Sequence, residues 1–167
     1  MWTPERRISM PKRPDKQGGT AAIEFLIAVP LLLLLLIGVS EFGRILYQYN
    51  TLTKSTRDAA RYLSANARWG STGTIVLDST DITETRNLVV YGNTAGTGDS
   101  LLPNLVPADV SVSCFGGGTN CPGVTHIVVT TQYAYQPILG DLIPTFGLSD
   151  GIRVNIPLTT SSVMHAL

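Results

Sequence analysis

The chain has 167 residues, enough for one modest domain, and its twelve Lys and Arg balance twelve Asp and Glu. That zero hides a split: residues 1–19 hold five basic against two acidic side chains, a net of +3, whereas from Gly70 onward Arg86 and Arg153 face seven acids, a net of −5. The acidic remainder lacks the clustered basic face that nucleic acid requires, so no nucleic-acid partner is expected.

The basic leader, residues 1–19, precedes an apolar run. That order keeps an N-terminus cytoplasmic and sends the C-terminal part of a chain across the bilayer. No charged residue occurs from Phe25 to Ser40. Residues 20–40, taken as one helix, span roughly 31 Å, close to the ~30 Å hydrocarbon thickness, and predict a transmembrane segment. Pro30 removes one backbone donor to the Leu26 carbonyl and should kink or loosen the helix. Glu24 stands at the mouth of this run, where an ionised carboxylate in lipid needs a partner or a place at headgroup level. A secretory signal peptide cut near Gly38-Val39-Ser40 is the competing reading. Glu24, and an apolar period that continues past Ser40, both weigh against it.

Residues 41–69 predict an amphipathic helix that continues the membrane segment. Phe42, Ile45, Leu46, Tyr49, Leu52, Thr53, Thr56, Ala59, Ala60 and Leu63 recur at three- and four-residue steps as one face. Glu41, Arg44, Gln48, Lys54, Asp58 and Arg61 fall on the other. Gly70 is a natural stop; one continuous helix is expected, and the alternative is a membrane anchor followed by a separate short helix, with a break near Gly43.

Residues 70–167 predict an exported α+β domain. A polar connector over residues 71–79 holds the patch Ile75-Val76-Leu77. A short helix over residues 82–91 is expected, with Asp81 and Glu84 as its capping pair and Gly92 closing it. After Pro107 the period becomes two: Val110 and Val112 lead to Cys114, and Ile127, Val129, Thr131, Tyr133 and Tyr135 form a second strand. Residues 137–147 read as a turn-rich crossover with one helical turn at 138–142. Ile152, Val154, Ile156 and Leu158 make a third strand, which Pro157 pushes toward an edge. The three antiparallel strands would pack on the amphipathic helix as a small α+β unit. Cys114 and Cys121 bracket a Gly-rich loop; in an oxidising compartment they would form a disulfide, and otherwise two free thiols.

No catalytic constellation is present. The serines lack the G-x-S-x-G or S-x-x-K context, and Gly116-Gly117-Gly118 lacks the Lys of a phosphate loop. His126 and His165 have no Cys, Asp or Glu at ligand spacing, so neither a metal nor a cofactor is expected, and the chain is not expected to be an enzyme.

Gly18-Gly19-Thr20-Ala21-Ala22-Ile23-Glu24-Phe25 resembles the type IV pilin and pseudopilin class: a basic leader, a Gly before the cut, a Glu at the fifth mature position, and an apolar helix. Within that class, residues 20–25, Pro30-Leu31-Leu32, Glu41-Phe42-Gly43-Arg44 and Arg57-Asp58-Ala59-Ala60-Arg61-Tyr62 resemble the TadE-like family of the tight-adherence (Flp) pilus system. Asn87-Leu88-Val89-Val90-Tyr91-Gly92-Asn93 is also similar. The resemblance covers residues 18–92 well and the rest loosely.

It implies a minor pseudopilin cut between Gly19 and Thr20 by a prepilin peptidase. Glu24 would then pair with the α-amino group of a neighbouring subunit. The implied partners are the inner membrane, other minor pilins, the major Flp pilin and the inner-membrane pilus platform. The alternative is a membrane-anchored or secreted adhesion module that never enters a pilus.

Overall fold

The computed structural model describes residues 18–69, 75–122, 124–138, 142–143, 152–153 and 156–166. The leader up to residue 17, residues 70–74, Val154, and most of the crossover with its expected helical turn lie outside the described residues. The chain divides into two compact units between Val39 and Ser40.

Helix α1 spans Gly18–Asn66. Its leucine-rich first half consists of good helix formers, and Pro30 is accommodated at the loss of one backbone donor. Gly43 does not break the helix; a Cβ built there would meet nothing within 4 Å. The helix ends at Asn66, short of the expected residue 69. Ala67 N still donates to Leu63 O at 2.8 Å, and the chain then enters β1 (Arg68–Trp69).

Strand β2 (Ile75–Val76) pairs antiparallel with β1, and α2 (Ser79–Tyr91) comes next. Helix α2 begins three residues before the expected start. Its cap is Asp78, with extended φ −72° and ψ 153°, whose carboxylate accepts from Ser79 N at 2.6 Å. Asp81 therefore lies inside the first turn. Glu84 is engaged elsewhere, accepting the Tyr62 hydroxyl from α1. Gly92 closes α2 as expected: at φ +73° it adopts the left-handed conformation that glycine takes without steric cost, and its N–H reaches Leu88 O at 3.0 Å.

A 3₁₀ turn (Pro107–Asp109) leads into β3 (Val110–Cys114), β4 (Asn120–Cys121), β5 (His126–Ala134), β6 (Leu142–Ile143), β7 (Ile152–Arg153) and β8 (Pro157–His165). Among the described residues these strands form three antiparallel sheets, in the orders β1-β2-β4, β3-β5-β8 and β6-β7. The third long strand is displaced from the expected residues 152–158. Ile152–Arg153 pairs with Leu142–Ile143, and the strand beside β5 begins only at Pro157. The hydroxyl-rich stretch Thr159 to Ser162 masks its continuation, because its inward member Thr160 is polar yet buried. Among the described residues β8 is an edge strand, and Pro157 is its first residue, where a missing N–H costs least.

In the second unit the inner face of β3-β5-β8 meets the C-terminal half of α1. Leu52, Ala59, Ala60 and Leu63 are fully buried with Val89 and Val90 of α2, Ile127 and Val129 of β5, and Val110 of β3. At their interface the hydroxyls of Thr56 and Thr131 lie 3.1 Å apart, both at 0 % exposure. The hydroxyl pair satisfies two polar groups at once, and that allows two threonines inside an apolar core.

Before Leu52 the buried face of α1 departs from the expected one. Phe42, Leu46 and Tyr49 are exposed, whereas Glu41 and Gln48 are buried to 9 % and 3 % exposure. The reason is helical register. Counting back from Leu52 in turns of three and four residues gives Gln48, Ile45 and Glu41, so 3.6-residue geometry carries two polar residues inward.

Candidate functional site

Gly19 and Thr20 lie in the first turn of α1, and both are exposed. Glu24 comes one turn later, also exposed, as the only charged residue between Gly18 and Ser40. Around it, Ile23, Phe25, Leu26 and Ile27 are more than 60 % exposed, and Leu31 to Leu36 stay largely open. Such a run has no stable place in water, because each uncovered large apolar side chain forfeits about 1.5 to 3 kcal/mol of burial. The helix is long and apolar enough to cross a bilayer and is compatible with a single-pass membrane anchor.

The apolar exposure continues past Ser40. Phe42, Leu46, Tyr47 and Tyr49 are exposed, the aromatic ones at the level where a membrane-spanning segment would leave the hydrocarbon. The opposite side of the same turns is held by Glu41. Its carboxylate accepts the Tyr135 hydroxyl through Oε2 and the backbone N–H of Ile138 through Oε1, at 2.7 Å for the latter. Burial, then the hydrogen bond to Glu41, push the Tyr135 phenol up to about 12. This contact fastens the start of the amphipathic half of α1 to the end of β5. Sequence reasoning missed it. A carboxylate one residue after the apolar run was visible, but nothing in the pattern ties it to Tyr135, 94 residues away.

Tyr62 and Glu84 make a second such clasp, between α1 and α2. There the hydrogen bond to Glu84 is the main cause raising the Tyr62 phenol to about 12. Gln48 Oε1 is buried without a hydrogen-bond partner among the described residues.

Cys114 and Cys121 come together as a disulfide pair with Cα atoms 5.9 Å apart. The loop between them turns on Gly116, Gly117 and Gly118, at φ +98°, +98° and +83°. Cys114 N closes the loop by donating to Gly118 O at 2.8 Å. The loop also joins two sheets, because Cys114 ends β3 and Cys121 lies in β4. Tyr133 and Tyr135 are core residues, at 2 % and 3 % exposure, and form no surface patch.

A groove of about 270 Å³ opens between α1 and the end of α2, lined by Thr51, Lys54, Ser55, Asp58, Leu88 and Leu101. These residues include one acid and one base and no nucleophile paired with a base. Among the described residues no group of three His, Cys, Asp or Glu side chains converges. The two histidines, far apart in sequence, stand directly opposite each other on β5 and β8.

Residues 19–61 match the family model described as TadE-like protein. No curated protein and no solved structure matches the chain. The matched stretch starts at the exposed head of α1, takes in Glu24 and Glu41, and stops one residue before Tyr62. Over residues 19–61 the chain is thus similar to the TadE-like family.

Proposed function

We propose that this protein is a minor pseudopilin of a Flp-type pilus, inserted in the inner membrane with its N-terminus cytoplasmic and its α+β domain periplasmic. One observation carries the reading: a TadE-like helix whose exposed apolar half holds a single carboxylate, Glu24, just past an exposed Gly19-Thr20 step. A prepilin peptidase cutting after Gly19 leaves Thr20 as the new N-terminus and Glu24 as the fifth residue. In lipid, Glu24 and the freed amine of a neighbouring subunit are each costly alone and attract strongly as a pair. Phe42, Leu46 and Tyr49 give neighbouring helices an apolar surface beyond the membrane level. The partners on this reading are other minor pilins, the major Flp pilin, the inner-membrane platform and the peptidase. The role is structural, with no catalysis.

Mass spectrometry of the membrane-purified protein, from cells with and without the peptidase, tests the cut. An N-terminus at Thr20 that depends on the peptidase is expected; an intact Met1 in functional protein, or a start near Glu41, overturns the reading. Glu24→Ala is expected to abolish incorporation into the pilus while the protein still reaches the membrane.

A further inference from the structure

The chain contains two histidines, and the fold sets both on one patch. His126 begins β5 and His165 ends β8, and the register pairs them directly. Both point to the outer, solvent-facing side of the sheet, since burial alternates along β5 and the even-numbered positions there lie outside. Their rings contact edge to face, with centroids 5.2 Å apart.

The backbone bonds around them define the kind of pair. Ala166 N donates to Thr125 O at 2.9 Å, and Phe115 N donates to His126 O at 2.9 Å. His126 therefore turns its own backbone groups toward β3, and the flanking Thr125 and Ala166 make the exchange across β5 and β8. His126 and His165 are consequently a non-hydrogen-bonded pair, the class whose side chains stand closest, with Cβ atoms about 4.5 to 5.5 Å apart. Thr125 Oγ1 lies 3.1 Å from His126 Nδ1. In the tautomer that carries its proton on Nδ1 and donates it to that hydroxyl, the Nε2 lone pair is the one offered to a ligand, the arrangement by which an outer partner orients a metal-binding imidazole.

We propose that His126 and His165 form a two-imidazole chelate for a first-row divalent transition metal, with Cu2+ bound most tightly and Ni2+ and Zn2+ less so. Neutral imidazole suits these ions and not Mg2+ or Ca2+, and the affinity order follows the general one for nitrogen sites. Both histidines are exposed, so the torsional adjustment that brings two nitrogens onto one ion replaces their edge-to-face contact without disturbing the core. No third His, Cys, Asp or Glu joins them among the described residues. The remaining coordination positions thus face solvent and accept water or a donor from another molecule. A bound ion ties edge strand β8 to β5 at the free end of the sheet, so metal raises the stability of the strand carrying the C-terminus.

The test uses the detergent-solubilised full chain with Cu2+, Ni2+, Zn2+ and Mg2+ as probes, reading binding by calorimetry and the Cu2+ ligands by electron paramagnetic resonance. One equivalent of Cu2+ with nitrogen hyperfine structure, lost with His126→Asn or His165→Asn, is expected. Each single change should weaken binding by on the order of tenfold or more, since the second ligand acts at high effective concentration. Both positions are exposed, and circular dichroism verifies that the variants are folded. Cu2+ binding unchanged in either variant, as an N-terminal amine site would give, overturns the proposal. So does the absence of binding, which would leave the rings as a plain edge-to-face contact.

Discussion

At the scale of single residues, Glu41 and Tyr135 are the most informative pair in the molecule. A buried carboxylate is tolerated only when donors meet it, and here a phenol and a backbone N–H do so. Glu41→Ala leaves two donors without their acceptor and is expected to cost about 2 to 3 kcal/mol, measured by denaturant unfolding of the solubilised chain. Tyr135→Phe removes one donor and should cost about half that. The pair also predicts a pH dependence. The folded-state phenol is raised from 10.0 to about 12, so its contribution is complete below pH 10 and is lost as the pH climbs toward 12. Tyr62, raised likewise to about 12 by Glu84, adds to the same alkaline loss. Stability measured across this window should fall less steeply in Tyr135→Phe than in wild type; an identical slope would contradict the Glu41 contact.

At the scale of elements, the helices show how local signals set boundaries and where those signals mislead. The closing Gly92 of α2 is legible because a left-handed C-terminal residue with an N–H to Leu88 O suits glycine. Its start is less legible, because Asp78 and Asp81 are both competent caps. The chain uses Asp78, which stands extended right after buried Leu77, so the helix gains a turn. Asp78→Ala is expected to lower stability by about 1 kcal/mol, and Asp81→Ala, inside the first turn, by less; denaturant midpoints of the two variants decide between the caps. The amphipathic half of α1 carries the same lesson. Its register is fixed by the small, tightly buried residues Ala59, Ala60 and Thr56 rather than by the large aromatic ones nearer its apolar half.

At the scale of the whole molecule, the second unit is small, and short sheets share its core with two helices. The Cys114–Cys121 link closes a short loop, at sequence separation 7, that bridges two of those sheets. Closing a loop of this length removes about 2 to 3 kcal/mol of chain entropy from the unfolded state. Intact mass of the purified protein with and without reductant should show the pair oxidised. Cys114→Ser with Cys121→Ser is expected to lower the unfolding midpoint.

Sequence by itself determined the α+β class, the apolar helix headed by Glu24, the strand Val110–Cys114, a second strand expected from Ile127 to Tyr135 and found as His126–Ala134, and the TadE-like resemblance. These are local properties: an uncharged run, a two-residue alternation and a glycine stop each arise from the side chains in one window. Tertiary structure decided what no window contains. It turned Glu41 and Gln48 inward because Leu52, Thr56 and Ala59 fix the helix against the sheet. It began the last long strand at Pro157, where hydroxyl residues hide the alternation. It also set His126 opposite His165, since a pairing register depends on two distant strands meeting over a shared core.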